Sequence, residues 1–313
     1  IMVNPLFIDV IVYSSILILL SIGLTLSYLT TKVPNFAHGS FATMGAYLSL
    51  ISVKMFKSNP YSAMPFAFII SGLLAFALYY LVLKPLIKKN ASHLIQMIAT
   101  LAYDLILIAI INILSDSLSR TYKITSRDFT LRSYDLVTSD LSLVVVIAPL
   151  CAIIIITSLW ITLTKTKFGI AMRATIENPN LSSVLGINTG LVYGISWFLS
   201  GGLAGIAGVI MSIWFLGDAD LGPQLLPSIF AASIAGGLGS IFGAAIGGLL
   251  VGVTEVFGTR ILAGTIGTWV ISYRPAIPLL FIIITLLISP KGLLSINWRK
   301  LKKKSQKQSA EDK

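Results

Sequence analysis

The chain has 313 residues, of which 56 % are hydrophobic and 11 % are charged, and its formal net charge is +11. A soluble surface normally needs about a quarter of charged residues, so this composition excludes a soluble protein and predicts an integral membrane protein. The apolar segments lack the alternation over about 10 residues that is typical of a transmembrane strand, which indicates helices rather than a barrel.

Apolar runs near the length of about 20 residues that crosses a bilayer as a helix recur along the whole chain. They predict an all-α fold, a polytopic transmembrane helical bundle of about 8 membrane segments over residues 1–295. Residues 296–313 would form a basic tail. The runs are Ile8–Leu29, Phe36–Val53, Met64–Leu83, Leu94–Leu114, Leu141–Leu163, Leu191–Phe215, Leu226–Phe257 and Pro275–Ser289.

The positive charge is concentrated beside the membrane segments. Lys84–Lys89, Lys165–Lys167 and the tail follow the positive-inside rule, which predicts that all three lie in the cytoplasm. The segment 165–187 is then cytoplasmic, and the loop 115–140, in which acids balance the basic residues, is extracytoplasmic. This placement argues against nucleic-acid binding and predicts that the tail contacts anionic lipid head groups.

The long segment Leu226–Phe257 conflicts with this topology if it crosses once, because the final helix would then carry the basic tail outside. Its centre contains Gly236, Gly237 and Gly239 followed by Ser240, where a helix is expected to break. We predict a re-entrant or broken helix whose two unequal pieces enter from outside and return there. Backbone broken at membrane depth has to be buried in protein or line a polar cavity, so these four residues are candidates for the substrate pathway.

Small residues spaced four apart predict close helix packing. Gly201 and Gly205 lie in SGGLAGIAG, and Gly243 and Gly247 lie in GSIFGAAIGG. Both patterns are typical of helices that approach each other closely in membranes. Packing alone would explain the glycines of the break as well, and it is compatible with a role in the pathway.

A second interruption occurs in KVPNFAHGSFATMGAY, near the start of the chain. Pro34 disfavours helix before it, Asn35 is expected to cap the next helix, and His38 and Gly39 fall in its first turns. Paired interruptions in the two halves of a transporter indicate an internal repeat with a central site, so Asn35, His38 and Gly39 are further pathway candidates. A lone histidine is more typical of a hydrogen-bonded structural residue than of a proton relay or metal ligand.

Two carboxylates, Asp104 and Glu255, lie in apolar surroundings. A charged side chain at mid-bilayer costs about 2.5–3.5 kcal/mol on insertion scales, so each is expected to face the bundle interior or a wet cavity. Asp104 would make an interhelical hydrogen bond or serve the pathway, whereas Glu255 can reach the membrane interface. In an ion-coupled secondary transporter, the alternative from a different functional class, these two acids would form the relay.

Motifs for catalysis are absent from the sequence. There is no Gly-x-Ser-x-Gly elbow, no His-Glu-x-x-His and no Cys/His cluster, so no catalytic residue, metal site or cofactor is predicted. An intramembrane enzyme would need a paired nucleophile and base. A phosphate-binding loop is also absent, so ATP would have to act on separate subunits.

The polar segment FGIAMRATIENPNLSSVLGI, Phe168–Ile187, interrupts two apolar runs. Pro179 cannot continue a helix interior, so we predict two short helices that meet at Glu177-Asn178-Pro179. Asn180 is expected to cap the second helix, and Gly186 to end it. Such a pair would stand off the membrane as a docking segment, and the alternative is an ordinary amphipathic interfacial loop.

The same segment is similar to the cytoplasmic coupling segment of the inner-membrane permeases of branched-chain amino acid ABC transporters, usually written around G-R-A-x-R-A-x-x-x-N-x-x-x-A-x-x-x-G-I. IGLTLSYLTTKVPNFAHGSFATMGAY resembles the N-terminal signature of the LivH-type subunit. LSGGLAGIAGVI, GGLGSIFGAAIGGLLVG and SPKGLL resemble three later signatures. Five signatures in the right order, over most of the chain, identify it as a member of this family.

The resemblance implies a permease subunit of a heteromeric importer in the cytoplasmic (inner) membrane of a prokaryote. Its partners would be a second related permease, two cytoplasmic ATP-binding subunits and an extracytoplasmic solute-binding protein. Branched-chain, leucine-type amino acids are the leading substrates. Urea, short amides and other amino acids are alternatives within the same family.

The resemblance also implies roles for individual residues. Ile170 stands where arginine is frequent in the family, so one coupling charge is missing. Asp104 stands where a small or neutral polar residue is usual. The residues implied in the contact with the ATPases are Arg173, Glu177, Asn178, Pro179 and Gly186.

Overall fold

The computed structural model describes residues 5–138, 141–289 and 292–293, and this part of the chain is almost entirely helical. Two strands of two residues, β1 (Val137–Thr138) and β2 (Leu141–Ser142), pair in an antiparallel hairpin. The helices are α1 (Pro5–Thr31), α2 (His38–Phe56), α3 (Met64–Ala77), α4 (Lys84–Lys88), α5 (His93–Thr121), α6 (Val144–Lys165), α7 (Lys167–Glu177), α8 (Pro179–Val184), α9 (Thr189–Trp214), α10 (Leu226–Gly236), α11 (Ile241–Thr265) and α12 (Ala276–Ile288).

Within the described residues, six helical segments are long and apolar enough to cross a membrane. One of them, Pro60–Lys88, is a continuous stack of a 3₁₀ turn, α3, the π-helix Leu78–Leu83 and α4. The other five are α1, α5, α6, α9 and α11, while α2, α10 and α12 add apolar helices to the bundle. The predicted polytopic helical bundle is confirmed, and its count of about 8 segments is approximate.

Helix α1 forms the centre of the bundle. It packs against α6, α9, α10 and α11, and Ile16, Leu17 and Leu20 are fully buried. A helix that is apolar on all faces is stable only where every face is covered by protein or lipid. By contrast, α5 and α6 expose large apolar side chains such as Leu105 and Ile153, so these two helices lie at the periphery.

Glycines set the closest helix contacts. A Cβ atom at Gly201 would overlap the Ser71 carbonyl oxygen of α3, and one at Gly205 would overlap the Ala67 carbonyl oxygen. Backbones can approach this closely only where side chains are absent, which is why small residues recur at membrane helix interfaces. Gly247 makes the equivalent contact in the second half of the chain, against α10.

The segment 226–265 breaks after Gly236. Gly237 has φ +100°, a conformation that residues with a Cβ atom rarely adopt. The Ser240 hydroxyl accepts a hydrogen bond of 3.2 Å from the Gly243 N–H and so caps α11. Gly236 packs on the Gly243 carbonyl group, so α11 folds back along α10. The predicted glycine-interrupted helix is therefore a helical hairpin.

The two ends of the bundle differ in composition. One end, which we call the basic end, carries α7 and α8 together with the basic stretch Lys84–Lys89. The opposite end carries the loop after α5, which is fixed to the end of α9 by two backbone hydrogen bonds between Phe129 and Gly217, 3.1 and 2.6 Å long. The predicted basic tail 296–313 lies outside the described residues.

Prediction for helix packing. Gly205→Val would force the Ala67 carbonyl group away from α9, and overpacking of this kind destabilises a protein by about 1–3 kcal/mol. Thermal unfolding of the purified protein in detergent should therefore shift to lower temperature. Gly264→Ala is the matched control, because a Cβ atom there meets nothing within 4 Å; equal unfolding temperatures for the two variants would contradict the assigned contact.

Candidate functional site

The turn between α1 and α2 follows Lys32, which has φ +57°. The Asn35 Oδ1 atom accepts a hydrogen bond of 3.1 Å from the Ala37 N–H. Helix α2 begins at His38, and its N-cap residue is Ala37, which makes no side-chain cap. The expectation that Asn35 caps α2 is therefore wrong: its side chain closes a local turn three residues before the helix, as asparagine commonly does.

His38 is fully buried, and its Nε2 atom lies 2.9 Å from the carbonyl oxygen of Leu20. The missing side chain of Gly23 makes room for the imidazole ring. Leu20 lies 11 residues before Thr31, the end of α1, a distance of about 16 Å along a helix axis. The chain thus returns by that distance before α2 starts, and α2 begins inside the bundle rather than at its surface.

Asp104 lies beside this helix start. The Asp104 Oδ1 atom accepts a hydrogen bond of 2.5 Å from the Ser40 hydroxyl, and Asp104 is only 7 % exposed. One turn earlier in α5, the Thr100 hydroxyl oxygen accepts a hydrogen bond from the Phe36 N–H. These contacts join α5 to the interruption, so the structure brings Asp104 together with the predicted pathway residues near the start of the chain.

The loop before α10 reaches the same place. Gly39 packs directly on Gly222, with no room for a Cβ atom on either residue. The Gly222 N–H donates a hydrogen bond of 3.0 Å to the Thr43 hydroxyl oxygen. Asn35, His38, Gly39, Ser40 and Asp104 are therefore buried together at the start of α2, and we call these five residues the α2 entry cluster.

The second set of predicted pathway residues lies across α1 from this cluster. Ser233 of α10 donates a hydrogen bond of 3.1 Å to the Ser21 carbonyl oxygen of α1. The rings of Phe36 and Phe230 meet with centroids 5.3 Å apart. Gly236 packs against Gly243, and Gly237 against Gly292, whereas a Cβ atom at Gly239 would meet nothing within 4 Å. The two interruptions are connected through α1 and this aromatic pair.

The basic end carries the predicted pair of short helices, α7 and α8. Asn178, not Asn180, caps α8: its Oδ1 atom accepts a hydrogen bond of 3.0 Å from the Leu181 N–H. The prediction missed this because Pro179 fits best at the first position of a helix, which makes the residue before it the cap. Gly186, at φ +85°, follows the end of α8 with the two backbone hydrogen bonds of a Schellman motif.

This helix pair is held firmly on the bundle yet presents an open outer surface. Met172 is buried against α9, where the Ser196 hydroxyl lies 3.8 Å from its sulfur atom. Gly169 packs on the Leu163 backbone of α6. The residues implied in the ATPase contact, Arg173, Glu177, Asn178, Pro179 and Gly186, are all exposed.

An ion pair between a buried carboxylate and a partly exposed guanidinium was not predicted from the sequence. The Glu255 Oε1 atom lies 2.8 Å from the Arg274 Nε atom and accepts a 2.7 Å hydrogen bond from the Tyr13 hydroxyl. The guanidinium also lies 4.4 Å from the centre of the Tyr13 ring. Burial lowers the pKa of Arg274, but the interactions with Tyr13 and Glu255 raise it by more, so the pKa lies above its ordinary value. Tyr13 and Glu255 are 242 residues apart, so no local pattern could indicate their contact.

A helical bundle with six segments long and apolar enough to cross a membrane is the architecture of a multi-pass membrane protein. Residues 6–290 match the family described as branched-chain amino acid transport system / permease component. The chain belongs to this family, and it is a multi-pass protein of the inner membrane.

Individual relatives agree with the family match. The chain is 43 % identical over 293 residues to the probable branched-chain amino acid transport permease protein LivH of Methanocaldococcus jannaschii, covering 94 % of this chain and 93 % of that one. It is 24 % identical over 287 residues to the permease protein BraD of a high-affinity branched-chain amino acid transport system of Pseudomonas aeruginosa, covering 88 % and 90 %. The solved structure of PsaBC from Streptococcus pneumoniae in complex with Fab has the same fold, with a TM-score of 0.53, 12 % identity and coverage of 92 % and 93 %.

Prediction for the α2 entry cluster. Ser40→Ala removes the hydrogen-bond donor of a buried carboxylate, which costs about 1–3 kcal/mol in free energy of unfolding. Denaturation of the purified protein in mixed micelles should show this loss. Ser58→Ala, in an exposed turn, serves as the control; if both variants unfold alike, the Ser40 to Asp104 contact contributes nothing to stability.

Glu255→Ala removes both the salt bridge to Arg274 and the acceptor of the Tyr13 hydroxyl hydrogen bond. Because Arg274 is 31 % exposed, the cost in free energy of unfolding should fall below the about 3–5 kcal/mol of a fully buried pair. Tyr13→Phe removes only the hydrogen bond to the Glu255 carboxylate, at a cost of about 1.5–3 kcal/mol. In the same unfolding assay the first variant should be clearly less stable, and the double variant Glu255→Ala/Arg274→Ala should regain part of the loss. The opposite order would show that the pair is not formed in the membrane protein.

Proposed function

We propose that this chain is the permease subunit of an ATP-driven importer of branched-chain, leucine-type amino acids. The observation that carries the proposal is the helix pair α7 and α8, which is fixed to the bundle on one side and exposes apolar side chains on the other. Ile170 is 58 % exposed, Leu185 71 % and Val184 83 %. Apolar side chains exposed next to Arg173 and Glu177 are typical of a surface that binds a protein partner.

Lipid is a poor partner for this surface. The segment joins α6 to α9 at the basic end of the bundle, and it contains the exposed polar residues Asn178 and Asn180 beside Arg173 and Glu177. Mixed apolar and charged side chains of this kind match a protein interface, in which apolar contacts are surrounded by polar ones. An ATP-binding subunit in the cytoplasm is the partner that fits an importer without its own phosphate-binding loop.

The same helix pair provides a mechanical connection to the pathway. Met172 of α7 lies against Ser196 of α9, and α9 packs along α1, α2 and α3. A displacement of α7 by a closing ATPase would therefore move α9 as a rigid rod. Because Gly205 and Gly208 of α9 contact the backbone of α2, this movement would reach the α2 entry cluster and open or close the path around Asp104.

The remaining partners follow from the family and the outer surface. The exposed apolar faces of α5 and α6 suit lipid and a second related permease. The end opposite α7 and α8 would receive an extracytoplasmic solute-binding protein. Leucine-type amino acids are proposed because the relatives from M. jannaschii and P. aeruginosa are named as branched-chain amino acid permeases; urea and short amides are the alternatives.

Val184→Glu places a charge in the apolar surface of α8, which tests ATPase docking. Because a charge buried at an interface without a partner is unfavourable, we expect the nucleotide-binding subunits to bind about tenfold more weakly or worse. The full transporter should be purified from its native membrane through a tag on this chain, and the nucleotide-binding subunits quantified by mass spectrometry. Glu177→Ala, which removes a charge from the same surface, should weaken recovery to a smaller extent.

Leu136→Glu is the matched control, since Leu136 is 56 % exposed in the loop at the opposite end. Recovery of the same nucleotide-binding subunits with Val184→Glu and Leu136→Glu would contradict docking on α8. Complexes reconstituted in liposomes should import leucine only when ATP is present on the side of the nucleotide-binding subunits. Import of urea or acetamide instead of leucine would contradict the substrate assignment. Import driven by a proton gradient without ATP would contradict the ATP-driven mechanism.

A further inference from the structure

A cavity of about 620 Å³ opens at the end opposite α7 and α8. It lies between the start of α1, the end of α9 and the end of α11, and it is bordered by the loop that leads into α12. This volume falls in the range of about 300–1,000 Å³ typical of small-molecule sites. The cavity is separate from the α2 entry cluster, none of whose residues lines it.

The rim of the cavity carries charges of both signs. Asp9, Arg132 and Arg260 line it and are exposed, and within the described residues none of the three forms an ion pair. Deeper in the cavity lies Arg274, which is bound through its Nε atom to Glu255. The wall therefore offers three guanidinium groups and one carboxylate to whatever enters.

The floor of the cavity is aromatic. Tyr13, Trp214 and Phe215 line it, and Arg132 lies over the Trp214 ring at 4.5 Å. The rings of Tyr13 and Phe215 meet edge to face, with centroids 5.8 Å apart. An aliphatic side chain would lose its contact with water against these rings, and the cation over Trp214 is oriented by the ring before any ligand arrives.

We propose that this cavity binds an aliphatic amino acid in its zwitterionic form before it enters the pathway. Guanidinium groups bind carboxylates through paired, charge-assisted hydrogen bonds, so Arg260 and Arg274 hold the α-carboxylate. Asp9 binds the α-ammonium group, and the aliphatic side chain packs on Trp214 and Phe215. This site rests on the proposed import of amino acids and adds to it a binding step on the permease itself.

An acidic segment of a partner protein is the competing occupant. An acidic segment would be bound by cationic side chains alone. The cavity contains the carboxylate of Asp9 as well as its guanidinium groups, and this combination matches a ligand that carries both charges. The aromatic floor gives an acidic peptide no specific contact but gives an aliphatic side chain an apolar surface. The arrangement therefore favours a free amino acid.

The test uses the complete transporter in nanodiscs, without nucleotide and without the solute-binding protein, and measures binding of radiolabelled L-leucine. Gly264 lines the cavity, and a Cβ atom there has open space around it, so Gly264→Phe adds a ring at the cavity wall without removing either member of the ion pair. We expect leucine binding to weaken about tenfold or more, because the phenyl ring takes up space that the ligand needs. Gly264→Ala adds only one methyl group to the lining and should weaken leucine binding far less than Gly264→Phe does.

Two analogues test the charges. 3-Methylbutylamine lacks the carboxylate, and 4-methylpentanoate lacks the ammonium group. Each should displace radiolabelled leucine about tenfold more weakly than unlabelled leucine does. Arg260→Gln should weaken the binding of leucine and leave the binding of 3-methylbutylamine, which has no carboxylate, unchanged. Equal leucine binding by Gly264→Phe and Gly264→Ala, or displacement by 4-methylpentanoate as good as by leucine, would overturn the zwitterion site.

A separate measurement keeps this inference distinct from the proposed function. ATP-driven leucine uptake with the solute-binding protein present tests the importer, whatever the cavity does. Uptake by the wild type together with unchanged binding in Gly264→Phe would reject the cavity and leave the importer intact. If Gly264→Phe binds leucine normally but no longer captures the solute-binding protein, the cavity is a docking site for an acidic protein segment, and the inference is wrong.

Discussion

The close approach of α9 to its neighbours is the contact on which the rest of the architecture depends. Gly201 and Gly205 bring its backbone onto α3, and Gly208 brings it onto α2. In a membrane no hydrophobic effect drives helices together, so packing at this distance supplies much of the attraction. The same contacts hold α2 where its first residue, His38, reaches the middle of α1.

That arrangement permits broken backbone inside the bundle. Freed N–H and C=O groups at membrane depth have to find partners within the protein, and the turn before α2 is closed by Asn35 and Thr100. The break before α11 is closed by Ser240. The interruption before α2 thus places polar groups inside an apolar protein without exposing them to lipid, whereas at the break before α11 Ser240 is half-buried and Gly239 is exposed.

Much of this could be predicted from the sequence where the signal is local. The apolar runs predicted the helices, and Gly236 to Ser240 predicted the break, because a glycine cluster inside an apolar run acts on the backbone directly. The cap of α8 was missed by two residues, since Pro179 was interpreted as a helix breaker although it also suits the first position of a helix. Asn35 was misassigned because a turn and a cap use the same side-chain oxygen.

The sequence by itself determined that this is a helical membrane protein, where its helices lie and which polar segment forms two short helices, because these properties follow from the composition and spacing of neighbouring residues. Only the tertiary structure decided which distant groups meet. Ser40 contacts Asp104 across 64 residues, and Tyr13 contacts Glu255 across 242. Such contacts depend on how helices cross, and the crossing is set by three-dimensional packing that no local pattern encodes.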